Sequence, residues 1–281
     1  MLKKSVKKVI VVVTGIIFCL VLFMYINKDM NAKDGEDLLL KDEMEYNESE
    51  DYIEEDNVVS EENLQASEEN QTEGDSNMLE KEFYISDIPD DIFDKMWGKS
   101  YKEDCTIKRE ELSYVHVLHK DFEGNTKVGE LVVNKLIAQD VLEIFKELYQ
   151  AEYQIEKVKL IDEYDADDEA SMSDNNSSAF NFRYISYTTT ISNHGKGLAI
   201  DINPLYNPYV KEVNGNTSIE PSNSVDYVDR EREFPHKIDK DDLCYKLFIE
   251  HGFEWGGDWS SAKDYQHFEI SQSKLEELSR Q

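Results

Sequence analysis

Apolar residues fill positions 9–26 without one charge, become sparse through residue 82, and return after residue 83 as short periodic runs separated by polar segments. The first run comes close to the roughly 20 residues that a membrane-spanning helix needs, and exceeds the usual apolar core of a cleaved leader. Lys3, Lys4, Lys7 and Lys8 precede it and acidic residues follow, which puts the amino terminus inside and the remainder outside. The pattern predicts a basic cytoplasmic end at 1–8 and a transmembrane signal-anchor at 9–26. The alternative is a secreted protein released by signal cleavage near Ala32. In both cases the body of the chain is exported. Cys19 follows the bulky Phe18, which does not suit lipoprotein processing.

Residues 27–82 are rich in Glu, Asp, Asn and Ser and carry no sustained apolar period. Such a segment buries too little surface to offset its ordering entropy, so a disordered acidic linker is predicted there. From 83 to 281 the pattern changes to that of a folded domain. Residues 90–97 read as a short amphipathic helix, and 114–119 and 129–133 as strands. Asn134 is placed to cap a helix in which Leu136, Ile137, Val141, Leu142, Ile144, Phe145 and Leu148 recur at helical spacing. Residues 155–161 alternate as a strand, 171–178 read as a polar loop, 182–187 as extended chain and 198–203 as a strand. Residues 241–251 form a helix stopped by Gly252, 267–270 a last strand, and 274–280 a terminal helix. Strands and helices mixed without a βαβ period point to an α+β fold with a largely antiparallel sheet.

The formal net charge of −31 argues against nucleic acid as a partner, since an acidic surface repels phosphates. Cys105 and Cys244 are the cysteines of the exported part. Their spacing leaves a disulfide open and supports no cysteine-rich zinc site.

Candidate chemistry concentrates in Ser192-Asn193-His194-Gly195-Lys196-Gly197 and the following Leu198-Ala199-Ile200-Asp201-Ile202-Asn203. In a strand, Leu198, Ile200 and Ile202 face one way and Ala199, Asp201 and Asn203 the other. A carboxylate held in such a strand needs a cation or several donors. With His194 and, far along the chain, His267, it makes two imidazoles and one carboxylate, the ligand count of an open zinc site.

These segments, together with Trp255-Gly256-Gly257-Asp258-Trp259, Asn207-Pro208-Tyr209 and Asp264-x2-His267-x-Glu269, resemble the zinc D-alanyl-D-alanine carboxypeptidase family. The likeness is nearest to its VanY-type and L-alanyl-D-glutamate endopeptidase members among autolysins and phage endolysins. The resemblance extends upstream through 129–134 and 175–183. It implies a compact α+β fold, with helices on one side of a largely antiparallel sheet, as in hedgehog and DD-peptidase domains. Carried over by position, it implies Zn2+ held by His194, Asp201 and His267, with Asp264 as general base. Arg183 then faces the scissile carbonyl and Ser192 contacts substrate. Phe182 stands where relatives often carry a cysteine.

Residue chemistry supports the same roles. Zinc makes a water nucleophilic near neutral pH, a nearby carboxylate can move its proton to the leaving amine, and a fixed cation stabilises the developing oxyanion. Trp255 and Trp259, on a glycine-rich loop, are expected to wall a groove for extended peptide. Glu269 shares a face with His267 and is a second candidate base or a support for that histidine. His116, His119, His236 and His251 show no partner pattern and read as structural or surface residues. The expected function is an extracellular, membrane-tethered zinc metallopeptidase acting on peptidoglycan stem peptides. The alternatives are a non-catalytic module binding wall peptide or a partner protein on the same fold, and recruitment of a cationic partner by the acidic linker.

Overall fold

The computed structural model describes residues 81–185 and 188–280. The signal-anchor and nearly all of the linker expected from the sequence lie outside the described residues. Among those described, no helix is long and apolar enough to cross a membrane.

A short strand β1 (Tyr84–Ser86) leads to helix α1 (Asp90–Met96), followed by the long strands β2 (Leu112–Lys120) and β3 (Thr126–Asn134). β1, β2 and β3 form an antiparallel sheet with β2 central. Helix α2 (Ala138–Gln150) buries Val141, Ile144, Phe145 and Leu148 in the main core beside Val115 and Val117 of β2. These are among the helical-period residues of the sequence, although Leu136 is exposed and lies before the helix; burying such a stripe is what stabilises an amphipathic helix in water. Asn134 does not cap α2. Its Oδ1 accepts from Leu136 N at 3.1 Å, while the capping position falls on Ile137, because a turn intervenes before the helix starts.

The middle of the chain departs most from the periodic reading. Only Lys157–Val158 (β4) of the predicted strand at 155–161 is a strand, and it pairs in parallel with β5 (Asn176–Ser177). Helix α3 (Asp168–Ser173), capped by the Asp167 side chain, and β5 occupy most of the stretch expected to be loop. Further along, β6 (Ala199–Asp201) follows the glycine-rich turn and is shorter than the strand expected at 198–203. The strands β7 (Tyr209–Val213) and β8 (Asn216–Glu220) form a hairpin. Its turn, Asn214-Gly215, has both residues at positive φ, as a two-residue hairpin turn requires.

Helix α4 (Leu243–Glu250) is capped by Asp242, whose carboxylate accepts from Cys244 N and Tyr245 N. It packs on β9 (Phe253–Trp255) and on α2. The chain ends in β10 (Lys263–Asp264), β11 (His267–Ile270) and helix α5 (Gln272–Leu278). β11 is the centre of a sheet ordered β6-β11-β9, and β10 joins the hairpin in the order β10-β7-β8. The α+β class therefore stands, but among the described residues the single sheet implied by the resemblance is divided into three antiparallel three-stranded sheets and one parallel pair. Cys105 and Cys244 are free thiols, the first half-buried and the second in the core.

Candidate metal centre

The site is built on the pairing of β6 with β11. Their register sets His267 directly opposite Asp201 and Glu269 opposite Ala199. Side chains directly opposite in a sheet share a face, so His267, Asp201 and Glu269 project from one face. Ile200, Phe268 and Ile270 project from the other into the main core. A one-residue slip would exchange the two sets, so the apolar core fixes which side the polar residues occupy.

His194 is delivered by a single 3-10 turn, His194–Lys196, just before β6. The turn is held by Ser192 Oγ, which accepts from Gly195 N at 2.9 Å, and by Asn193 O, which accepts from Leu198 N at 2.8 Å. Residue 195 must be glycine, because a Cβ there would lie 2.8 Å from Ile191 Cγ2 and 2.9 Å from Arg183 O. His194 Nδ1–H donates to Ala179 O at 2.7 Å. A carbonyl only accepts, so this bond places a proton on Nδ1 and makes Nε2 the nitrogen that faces the site.

His194 Nε2 lies 3.3 Å from Asp201 Oδ2 and 3.1 Å from His267 Nδ1, and His267 Nδ1 lies 3.1 Å from Asp201 Oδ1. One donor atom from each of the three residues falls within 4.8 Å of the other two. The sequence-predicted ligands, separated by up to 73 positions, are thus brought together. Burial disfavours a charged His267, yet hydrogen bonds to Asp201 and Glu269 outweigh it and push its pKa up to about 10. Burial likewise disfavours the Asp201 carboxylate, but the two imidazoles hold it well below the usual range.

Asp264 joins them from β10. Gly256 makes this approach feasible, since a Cβ on it would lie 2.6 Å from Asp264 O, 2.7 Å from Asp264 Cβ and 3.2 Å from His267 Cβ. Asp264 Oδ1 is buried without a hydrogen-bond partner. Burial raises its pKa to about 7, with the His267 and His194 imidazoles opposing and Asp201 adding to the rise. Among the described residues, no lysine or arginine forms an ion pair with Asp201, Asp264 or Glu269. Three carboxylates, one of them with an orphaned oxygen, are served by two imidazoles and make a donor set short of positive charge. A divalent ion fits it by ligand type, ligand number and charge.

The other predicted residues fare differently. Arg183 Nε lies 2.6 Å from Asp168 Oδ2, a close ion contact, and its backbone packs beside Gly195; the structure gives its charge to Asp168 rather than to the ligand cluster. Ser192 is a buried turn residue whose hydroxyl is used by Gly195 N. Trp255 does not wall a groove: it is 6% exposed, packs edge-on against Tyr245, and donates Nε1–H to Tyr265 O at 2.9 Å. Its place in β9, opposite Phe268, turns the indole into the core. Trp259 is half-buried, with its ring 5.2 Å from that of His267, and so stands at the site.

Sequence reasoning missed Asn193, whose Nδ2 donates to Glu269 Oε2 at 2.5 Å, and the Ala179 carbonyl behind His194. A backbone acceptor leaves no mark on residue type, so only coordinates find the latter. Tyr209, paired opposite Asp264 across β7 and β10, lies in a motif the sequence did single out.

No curated protein and no solved structure matches the chain. Residues 186–270, which carry His194, Asp201, Asp264 and His267, match the family model described as D-alanyl-D-alanine carboxypeptidase, and the chain's resemblance to that peptidase family is shown over this segment.

Proposed function

We propose that the chain is a zinc-dependent peptidase of the D-alanyl-D-alanine carboxypeptidase type, acting outside the cell on peptidoglycan stem peptides. The observation that carries this reading is the convergence of His194, Asp201 and His267 beside the Asp264 carboxylate, whose buried Oδ1 lacks a hydrogen-bond partner. His194 Nε2, His267 Nδ1 and an Asp201 oxygen would hold the ion. Bound there, zinc supplies a Lewis acid that favours nucleophilic water near neutral pH.

The chain's own residues do the remainder. Asp264, with a proton affinity raised toward neutrality by burial, takes a proton from the attacking water and returns it to the departing amine nitrogen. A base whose pKa lies near the working pH performs both halves of that transfer well. Trp259 covers the His267 side of the site and limits water there. The presence of Asp264 at the site, with one buried oxygen left free of hydrogen bonds, favours catalysis over the non-catalytic alternative, which has no use for such a base.

The sequence of 1–82 supports the rest of the proposal: a signal-anchor at 9–26 and an acidic linker that holds the domain away from the membrane. The full chain incubated with purified muropeptides, with and without a chelator, tests the function by mass analysis. Chelator-sensitive release of alanine identifies a carboxypeptidase, and new amino termini on glutamate identify an L-Ala-D-Glu endopeptidase. Retention of muropeptides without cleavage would leave only a binding module.

A further inference from the structure

His194 and His267 present different ring nitrogens to the cluster, and each has its other nitrogen occupied. For His194 the occupant is the Ala179 carbonyl. For His267 it is Glu269, whose Oε2 lies 3.1 Å from Nε2. Glu269 is itself held from the opposite direction: Asn193 Nδ2 donates to the same oxygen at 2.5 Å, and Asn193 Oδ1 accepts from Lys196 Nζ at 3.1 Å. Asn193 immediately precedes His194. One carboxylate therefore ties the turn that carries one ligand to the ring that forms another, across 76 positions of sequence.

We infer that Glu269 is a positioning residue for the ion site, fixing His267 as the Nε2–H tautomer with its Nδ1 lone pair aimed at the ion, and that Asn193 fixes Glu269. The inference rests on the zinc reading above. A charged acceptor at Nε2 decides which ring nitrogen keeps the proton, and it also raises the basicity of the other nitrogen. Without Glu269, the ring could rotate about its Cβ–Cγ bond and hold its proton on either nitrogen, and both freedoms would have to be lost on binding. The β6–β11 register favours this arrangement, because Ala199, opposite Glu269, has no side chain long enough to compete for the carboxylate.

The test compares the full chain with its Glu269→Gln, Glu269→Ala and Asn193→Ala variants, each stripped by chelator and titrated with Zn2+ against a chromophoric competitor. Glu269→Ala is expected to weaken zinc binding about 10- to 100-fold. Glu269→Gln should retain most of the affinity, since its carbonyl accepts the same Nε2–H, and Asn193→Ala should lose less than Glu269→Ala. Nitrogen-15 spectra of the zinc-loaded wild type should show His267 protonated at Nε2, with Glu269→Ala losing that single tautomer. A merely structural role would lower the thermal midpoint of the zinc-free variants and leave affinity and tautomer unchanged, which overturns the inference. If the wild type itself takes up no zinc, the metal reading fails first. If it does and Glu269→Ala binds equally well, only the positioning role falls.

Discussion

The described residues contain two clusters in which a histidine meets carboxylates, and they answer the charge problem in opposite ways. In one, Asp140 and Glu143 of α2 face His251 after α4, with Asp140 Oδ1 2.9 Å from His251 Nδ1. Asp140 lies in the first turn of α2 and His251 is the C-cap of α4, where helix dipoles favour an anion and a cation respectively. Glu143 is exposed and bonded to Gln139. Each group has a partner or solvent, so no ion is needed. In the other, His194, Asp201 and His267 are held by a sheet and a buried turn, more carboxylates converge than the imidazoles can balance, and Asp264 Oδ1 has no partner. Similar residue types thus become a helix staple or an ion site according to whether dipoles and water have already met their needs.

The largest effect should come from the ion itself. His267→Ala or Asp201→Ala should abolish chelator-sensitive hydrolysis and zinc uptake, while His251→Ala changes neither, as zinc content and product analysis on the same preparations would show. Next, Asp264→Asn should lower turnover by about 10²- to 10⁴-fold with zinc content unchanged; a comparable loss of zinc would make Asp264 a ligand instead. Gly256→Ala probes how tightly Asp264 is packed beside His267. Its Cβ would collide with Asp264 backbone and side chain, so a destabilisation of about 1–3 kcal/mol is expected by denaturant titration, together with reduced activity.

A pH scan separates the clusters more gently. In the zinc-free chain, the raised pKa of His267, about 10, means that the folded state holds a proton the unfolded state releases above its ordinary value of about 6.5. That stabilisation is complete below about pH 6.5 and is lost as pH rises through about 10. The thermal midpoint of chelated protein should therefore fall across this window, and the fall should be smaller in zinc-loaded protein and in His267→Ala. The smallest effect expected is that of His251→Ala on stability, about 1 kcal/mol, from loss of the helix-end contact with Asp140.

How much of this was legible depends on what each residue type reveals. Helical period marked α2 because Val141, Ile144, Phe145 and Leu148 share one buried stripe. Alternation marked β6 because Ile200 and Ile202 enter the core while Asp201 does not. The ligands were readable because few residue types bind zinc and their order along the chain is distinctive. The segment from 155 to 185 was not, since its order comes from side-chain bonds to backbone such as Asn176 Oδ1 to Lys159 N at 2.9 Å, which follow no period. The β7–β8 hairpin left a signal in Asn214-Gly215 that hydrophobic alternation alone does not weigh. Trp255 misled because a tryptophan in a glycine-rich loop suits a groove and a core equally until its strand partner, Phe268, is known.

Anomalous diffraction at the zinc edge, from crystals of zinc-loaded protein, will show whether one ion is held by these three side chains. One strong peak is expected about 2.0–2.2 Å from His194 Nε2, His267 Nδ1 and an Asp201 oxygen, and none between Asp140 and His251. An empty triad, or a peak only at the helix pair, would contradict it.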